Sequence, residues 1–232
     1  MMIMDRTQIL HYDRIINHLI LNSFSISNRG LLNGRMGITL AFYHIGHVEN
    51  DNNYIKFGNK LLESIIETLD TKVPVNFADG FCGIGWGIEY LLYHGFIKCS
   101  SCNLLEDFNK CIETVGIGEW NLSLEYGLEG LLHYVLAHIS NNERDGKICF
   151  SHSYLKNLYN RLCSSCFNDN SDIQLLAQSY INWYNYKKMD YKFDLKKFTS
   201  KNIDFNIPFE DIPVSLSNGL AGYIINSIRI MP

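Results

Sequence analysis

Proline is scarce in this chain, four in 232 residues, and charge is sparse, at 19% of positions. Chains that stay unfolded for want of apolar residues have more of both, and 47% hydrophobic positions exclude a disordered or collagen-like polymer. No sign of charge dominates either, since 20 Lys and Arg face 24 Asp and Glu for a net charge of -4. Such a field gives no grip on a phosphate backbone, and nucleic acid is not an expected partner. No stretch reaches the roughly 18 consecutive apolar residues of a membrane span, and Asp5 and Arg6 stand where a secretory signal needs its apolar core. The expectation is a cytoplasmic protein with no membrane partner. Seven cysteines, at 82, 99, 102, 111, 149, 163 and 166, are an odd number in a chain long enough to bury its own core, so reduced thiols are expected.

What the chain does have is glycine in register. Four segments share a Gly-x-x-Gly pair followed by an apolar run: NGRMGITLAFYHIG with Gly34 and Gly37, DGFCGIGWGIEYLLYHG with Gly80 and Gly83, YGLEGLLHYVLAH with Gly127 and Gly130, and NGLAGYIINSI with Gly219 and Gly222. The first glycines lie 46, 47 and 92 residues apart, and 92 is twice 46. A fifth copy is therefore expected near residue 173, where SDIQLLAQSYINWY keeps the apolar run but has Ile173 and Leu176 in place of the glycines.

Before each pair the apolar residues follow a 3.6-residue period, as at Leu61, Leu62, Ile65 and Ile66 with Glu63 and Glu67 off the stripe, which predicts an amphipathic helix. After each pair the runs 38–45, 84–93 and 131–139 are apolar nearly all round, as helices surrounded by protein should be. Each unit reads as an outer helix, a loop, a glycine turn and an inner helix. The glycines are expected to allow positive φ or close approach at the inner helix, with Asn33, Asp79 and Asn218 as N-cap acceptors. Units that cannot cover their own inner helix must stack on neighbours. The reading is an all-α single domain over 1–232, a short or incomplete α/α toroid of about five hairpins, with completion by a second copy as a homodimer left open.

GLLNGRMGITLAFYHIG, FADGFCGIGWGIEYLL and SLSNGLAGYIINSI resemble the glycine repeats of the lanthionine synthetase C-like family. The resemblance implies an α/α toroid and a setting in the maturation of ribosomally made modified peptides. Cyclases of that family use zinc to activate a peptide thiolate. Where they place thiolate and imidazole ligands, this chain has Glu125, Ser171 and Asp172, and an Ala-His-Gly triplet of the family is matched by Ala78, Asp79 and Gly80. Oxygen donors do not make a zinc site of that kind, so no cofactor is expected.

Two CSSC tetrads, 99–102 and 163–166, have metal-ligand spacing, although Cys163 and Cys166 continue the apolar stripe of Leu155, Leu158 and Leu162, where cysteine acts as a small hydrophobe. Cys82, in a glycine turn, is either a thiolate favoured by a helix N-terminus or a buried thiol. His44 and His94 fall at helix C-termini, where the dipole favours a cation, whereas His133 lies one turn in from the glycine end. Asp79, Glu89, Glu125, Glu129 and Asp172 fall at or near the starts of inner helices. Trp86 and Tyr126 adjoin glycine turns, while Trp120, Trp183, Tyr90 and Tyr180 read as core. The candidate ligand-binding residues are Asp79, Cys82, Trp86, Glu125, Tyr126, His133 and Asp172, for a peptide or small-molecule substrate at the toroid mouth. The alternative is an active enzyme on the same scaffold: a zinc-dependent thioether cyclase with shifted ligands, or a carboxylate-based carbohydrate-active enzyme.

Overall fold

The computed structural model describes residues 6–228 apart from 71, 100, 143–147, 166, 168–170, 200–202 and 206, and describes the backbone alone at 6–11, 101–103, 119 and 171. Among these residues there are nine α-helices and no strand. They are α1 (Arg6–Asn22), α2 (Arg35–Glu49), α3 (Asn52–Glu67), α4 (Phe81–Tyr93), α5 (Ser101–Glu113), α6 (Leu128–Asn142), α7 (His152–Ser164), α8 (Ser171–Tyr186) and α9 (Leu220–Ser227). The class is the predicted one, built of packed helical hairpins.

The chain divides into two compact units, residues 1–69 with 194–232, and residues 70–193. In the first, α2 packs on α3 and α9, and α1 on α9; in the second, α4 packs on α5 and α6, α8 on α6 and α7. The inner helices are buried as their composition requires: every residue of α4 from Phe81 to Leu91 is buried, as is every residue of α2 from Arg35 to Gly46. The outer helix α3 buries Leu61, Leu62 and Ile65 and leaves Glu63 and Glu67 in water. The degenerate copy is real, because α8 buries Ile173, Leu176, Tyr180 and Trp183 on an inner-helix stripe although it has no glycine pair.

The glycine turns work differently from the expectation. Gly34, Gly80 and Gly219 are the N-cap residues themselves, with φ of -133, -125 and -141°, and no side chain caps α2, α4 or α9. Asn33, Asp79 and Asn218 are therefore not capping acceptors, and positive φ is not the reason for glycine. The preceding loop supplies the cap from its own backbone. The carbonyl six residues before the first glycine accepts from the N–H just after it: Asn28 from Arg35 at 3.0 Å, Pro74 from Phe81 at 2.9 Å, Asn121 from Leu128 at 2.7 Å and Pro213 from Leu220 at 2.8 Å. These bonds satisfy N–H groups that a helix start otherwise leaves open. To reach them the loop must lie against the glycine: a Cβ on Gly80 would stand 1.9 Å from the Pro74 oxygen. The second glycine serves the same loop, since a Cβ on Gly130 would stand 2.2 Å from the Leu124 oxygen.

One further backbone link joins repeats. The Glu125 carbonyl, two residues before Gly127, accepts from both Phe77 and Ala78 at 3.0 Å; the Leu32 carbonyl, two before Gly34, accepts from Leu216 at 3.0 Å and Ser217 at 3.1 Å. The last repeat thus joins the first in the manner in which the second joins the third.

The thiols divide. Cys82, Cys99, Cys111 and Cys163 are free, whereas Cys149 is disulfide-bonded, which corrects the expectation of reduced cysteines at that position. Cys163 is also exposed, not packed with Leu155, Leu158 and Leu162 as its place on the stripe suggested. Cys166 and the side chain of Cys102 lie outside the described residues.

Candidate functional site

The loops before α4 and α6 are held side by side by the Glu125 carbonyl, and this brings three of the expected residues to one surface. Tyr126 is half exposed, Glu125 is exposed and Asp79 is half-buried. The Tyr126 hydroxyl donates to the Asp79 carboxylate. The negative charge of Asp79 first, then desolvation and the Glu125 charge, hold the Tyr126 phenol above its ordinary range.

Beneath this surface Phe77 is fully buried between the two helix starts, with its ring 6.1 Å from that of Trp86 and 5.8 Å from that of His133. Trp86, six residues into α4, and His133, six residues into α6, are themselves buried. They meet through a residue that the repeat pattern does not contain. The Trp86 Nε1–H donates to the Tyr191 hydroxyl at 2.7 Å, and that oxygen lies 2.9 Å from His133 Nδ1. An indole only donates, so the hydroxyl accepts from Trp86, and its bond with His133 Nδ1 runs in the direction that the imidazole tautomer sets. Phe193 follows two residues later and stacks on Tyr93 at 4.6 Å. The two aromatics alternate with Lys192 in a stretch flanked by Asp190 and Asp194, an i, i+2 pattern after a helix end that could have identified them.

The remaining expected residues lie elsewhere. Asp172 is exposed in the first turn of α8, and Cys82 is wholly inaccessible inside the second unit. Burial pushes the Cys82 thiol far above the ordinary cysteine range, so the helix N-terminus does not produce a thiolate there. Native protein treated with iodoacetamide at pH 8 should accordingly be alkylated at the exposed Cys163 and spared at Cys82. Peptide mass mapping reads the difference, and modification of Cys82 at the rate of Cys163 would contradict the burial.

Glu89 and Glu129, expected near the mouth, are buried. Glu89 belongs to a polar chain inside the unit: its Oε1 is 2.6 Å from His138 Nδ1, and its Oε2 and backbone oxygen accept from Asn141 Nδ2 at 2.6 and 2.8 Å. His138 Nε2 faces Asn109 Nδ2 at 3.5 Å, and Asn109 Oδ1 accepts from the Tyr134 hydroxyl at 2.6 Å.

His94 closes α4 with its ring 4.3 Å from that of Tyr90, and desolvation lowers its pKa from the ordinary 6.5. Burial thus outweighs the helix dipole that was expected to favour the cation. With the folded value depressed, the unfolded chain takes up the proton first as the pH falls below 6.5. The contribution of His94 to stability should be complete above that value and decline below it. His94→Phe should flatten the melting temperature profile across this acid window, and an unchanged slope would count against the assignment.

Among the described residues no group of three or more His, Cys, Asp or Glu side chains is placed to hold a metal ion. A family model described as lanthionine synthetase C-like protein matches residues 25–231. No curated protein matches the chain.

Proposed function

Since the chain belongs to the lanthionine synthetase C-like family, we propose that it acts in the maturation of ribosomally made modified peptides. In this reading it holds an extended peptide over the starts of α4 and α6, without the zinc-dependent cyclase site. The observation that carries the reading is the Asp79, Glu125 and Tyr126 group, in which two consecutive repeats present carboxylates and a half-exposed ring on one surface. Carboxylates accept peptide N–H groups, and a tyrosine face covers an aliphatic or backbone segment at small entropic cost. The donors at the family's ligand positions support the absence of zinc. Glu125, in the turn before α6, and Asp172, in the first turn of α8, are exposed carboxylates, and oxygen sets without sulfur or nitrogen suit harder, weakly held ions.

Fluorescence anisotropy with a labelled peptide containing Ser, Thr and Cys tests the reading. Tyr126→Ala and Glu125→Ala should each weaken binding by about tenfold with the helical circular dichroism spectrum unchanged. Binding indifferent to both changes would remove the site. Stoichiometric zinc that survives dialysis against a mild chelator would remove the zinc-free part of the proposal.

A further inference from the structure

Directly under the peptide surface lies a slot that the chain fills with its own tyrosine. Its floor is Trp86, fully buried, and His133, 4% exposed. Both present nitrogens to one point between α4 and α6, and both are met there by the Tyr191 hydroxyl, at 2.7 and 2.9 Å. An indole N–H needs an acceptor and the imidazole Nδ1 needs a donor or an acceptor according to its tautomer, and a hydroxyl can meet both needs with a single atom. An aromatic edge completes the slot: the Tyr191 ring stands 5.9 Å from His133, near edge-to-face. The complementarity is therefore to a phenol, with a hydroxyl tip and a flat apolar body.

The segment that delivers this phenol is unlike the helices it covers. Residues 187–193 are neither helix nor strand, and they leave α8 through Lys187 in the left-handed conformation, φ 54°. Lys187, Lys188, Asp190 and Lys192 are all exposed along it. A polar strap that inserts Tyr191 and Phe193 between wet neighbours opens at lower cost than helices buried on every side. When it lifts, Trp86 and His133 lose the Tyr191 hydroxyl, and an incoming hydroxyl on a flat apolar body restores both bonds.

We propose that the slot between Trp86 and His133 is a binding site for a phenolic side chain, the tyrosine of a bound peptide, and that Tyr191 is its built-in competitor. The source of the incoming tyrosine rests on the peptide reading given above; the slot itself does not. The strap then makes occupancy a competition in which a tyrosine-bearing peptide displaces residues 187–193, and a peptide without one leaves them seated.

The test uses the full chain labelled at the tryptophan indoles, with the Trp86 resonance identified by its loss in Trp86→Phe, and 4-methylphenol as probe. Tyr191→Ala should bind 4-methylphenol at least tenfold more tightly than the wild type and move the Trp86 resonance, while toluene, which lacks the hydroxyl, shows no such gain. In the wild type the same phenol at high concentration should move Trp86 and leave Trp120 and Trp183 in place, a readout that holds even where Tyr191→Ala fails to fold. A Trp86 resonance that stays still in the wild type, equal phenol affinity with and without Tyr191, or toluene bound as tightly as phenol, each overturns the slot. Retained phenol binding with no peptide binding would remove the peptide reading and keep the slot. Peptide binding indifferent both to Tyr191→Ala and to a tyrosine in the peptide would keep that reading and remove the slot.

Discussion

Gly80→Ala should destabilise the protein by about 3 kcal/mol or more, whereas Gly118→Ala should change stability by no more than about 0.5 kcal/mol. The two glycines differ in what a methyl group would meet. At Gly80 an added Cβ would lie 1.9 Å from the Pro74 oxygen, 2.5 Å from its carbonyl carbon and 2.9 Å from the Asn76 nitrogen, all backbone atoms that no rotamer change can move. At Gly118 there is nothing within 4 Å. Relief at Gly80 requires the loop to withdraw, and the loop bears the carbonyls that cap Phe81 and Cys82, at 2.9 and 3.2 Å, together with the buried Phe77. Withdrawal strands those N–H groups at a buried helix start and opens space under Phe77, each at about 1–3 kcal/mol. Urea unfolding followed by circular dichroism measures the pair, and a Gly80→Ala variant within about 1 kcal/mol of the parent would show that the loop cap is not what the glycine serves.

Removing the Glu89 carboxyl should have an effect of similar size for a different reason. Glu89 and His138 are both at 0% exposure, and the buried Asn109 and Tyr134 with the half-buried Asn141 extend their 2.6 Å contact into a chain of side chains that satisfy one another. Glu89→Ala deprives His138 and Asn141 of acceptors together, and breaking a buried polar pair from one side costs about 3–5 kcal/mol. Replacing both members by apolar residues of similar size, Glu89→Met with His138→Leu, leaves fewer orphaned groups, so the double variant should be less destabilised than the sum of the single ones by about 1–3 kcal/mol. A double-mutant cycle by chemical denaturation reads this directly. Additive losses, or a Glu89→Ala cost below about 1 kcal/mol, would mean that the network does not hold the unit together.

Much of the candidate surface could be read from position alone. Asp79, Glu125 and Tyr126 directly precede or lie close to first glycines, and any side chain there is carried to the start of an inner helix by the turn itself. Trp86 and His133 follow by the same logic one turn further in. Tyr191 could not be found this way, because its partners are 105 and 58 residues away along the chain and nothing in a periodic pattern ties a strap to them. Glu89 misled for the same cause. A carboxylate on an apolar helix suggests an opening to water, and only His138, 49 residues on, makes burial affordable.

The sequence by itself determined the all-helical class, the repeat of about 46 residues with its glycine-free fourth copy, and the division into wet outer and dry inner helices. These follow from spacing within single segments, where helical period and the i, i+3 glycine pair are local facts. Tertiary structure decided what the glycines are for, since an approaching carbonyl and not a positive φ excludes the side chain, and it decided which first and last repeats meet through Leu32, Leu216 and Ser217. It decided likewise that Cys82 and Glu89 are interior and that Tyr191 closes over Trp86 and His133. Close approach, burial and pairing are properties of atoms brought together from distant parts of the chain, and they take their values only when the repeats have stacked.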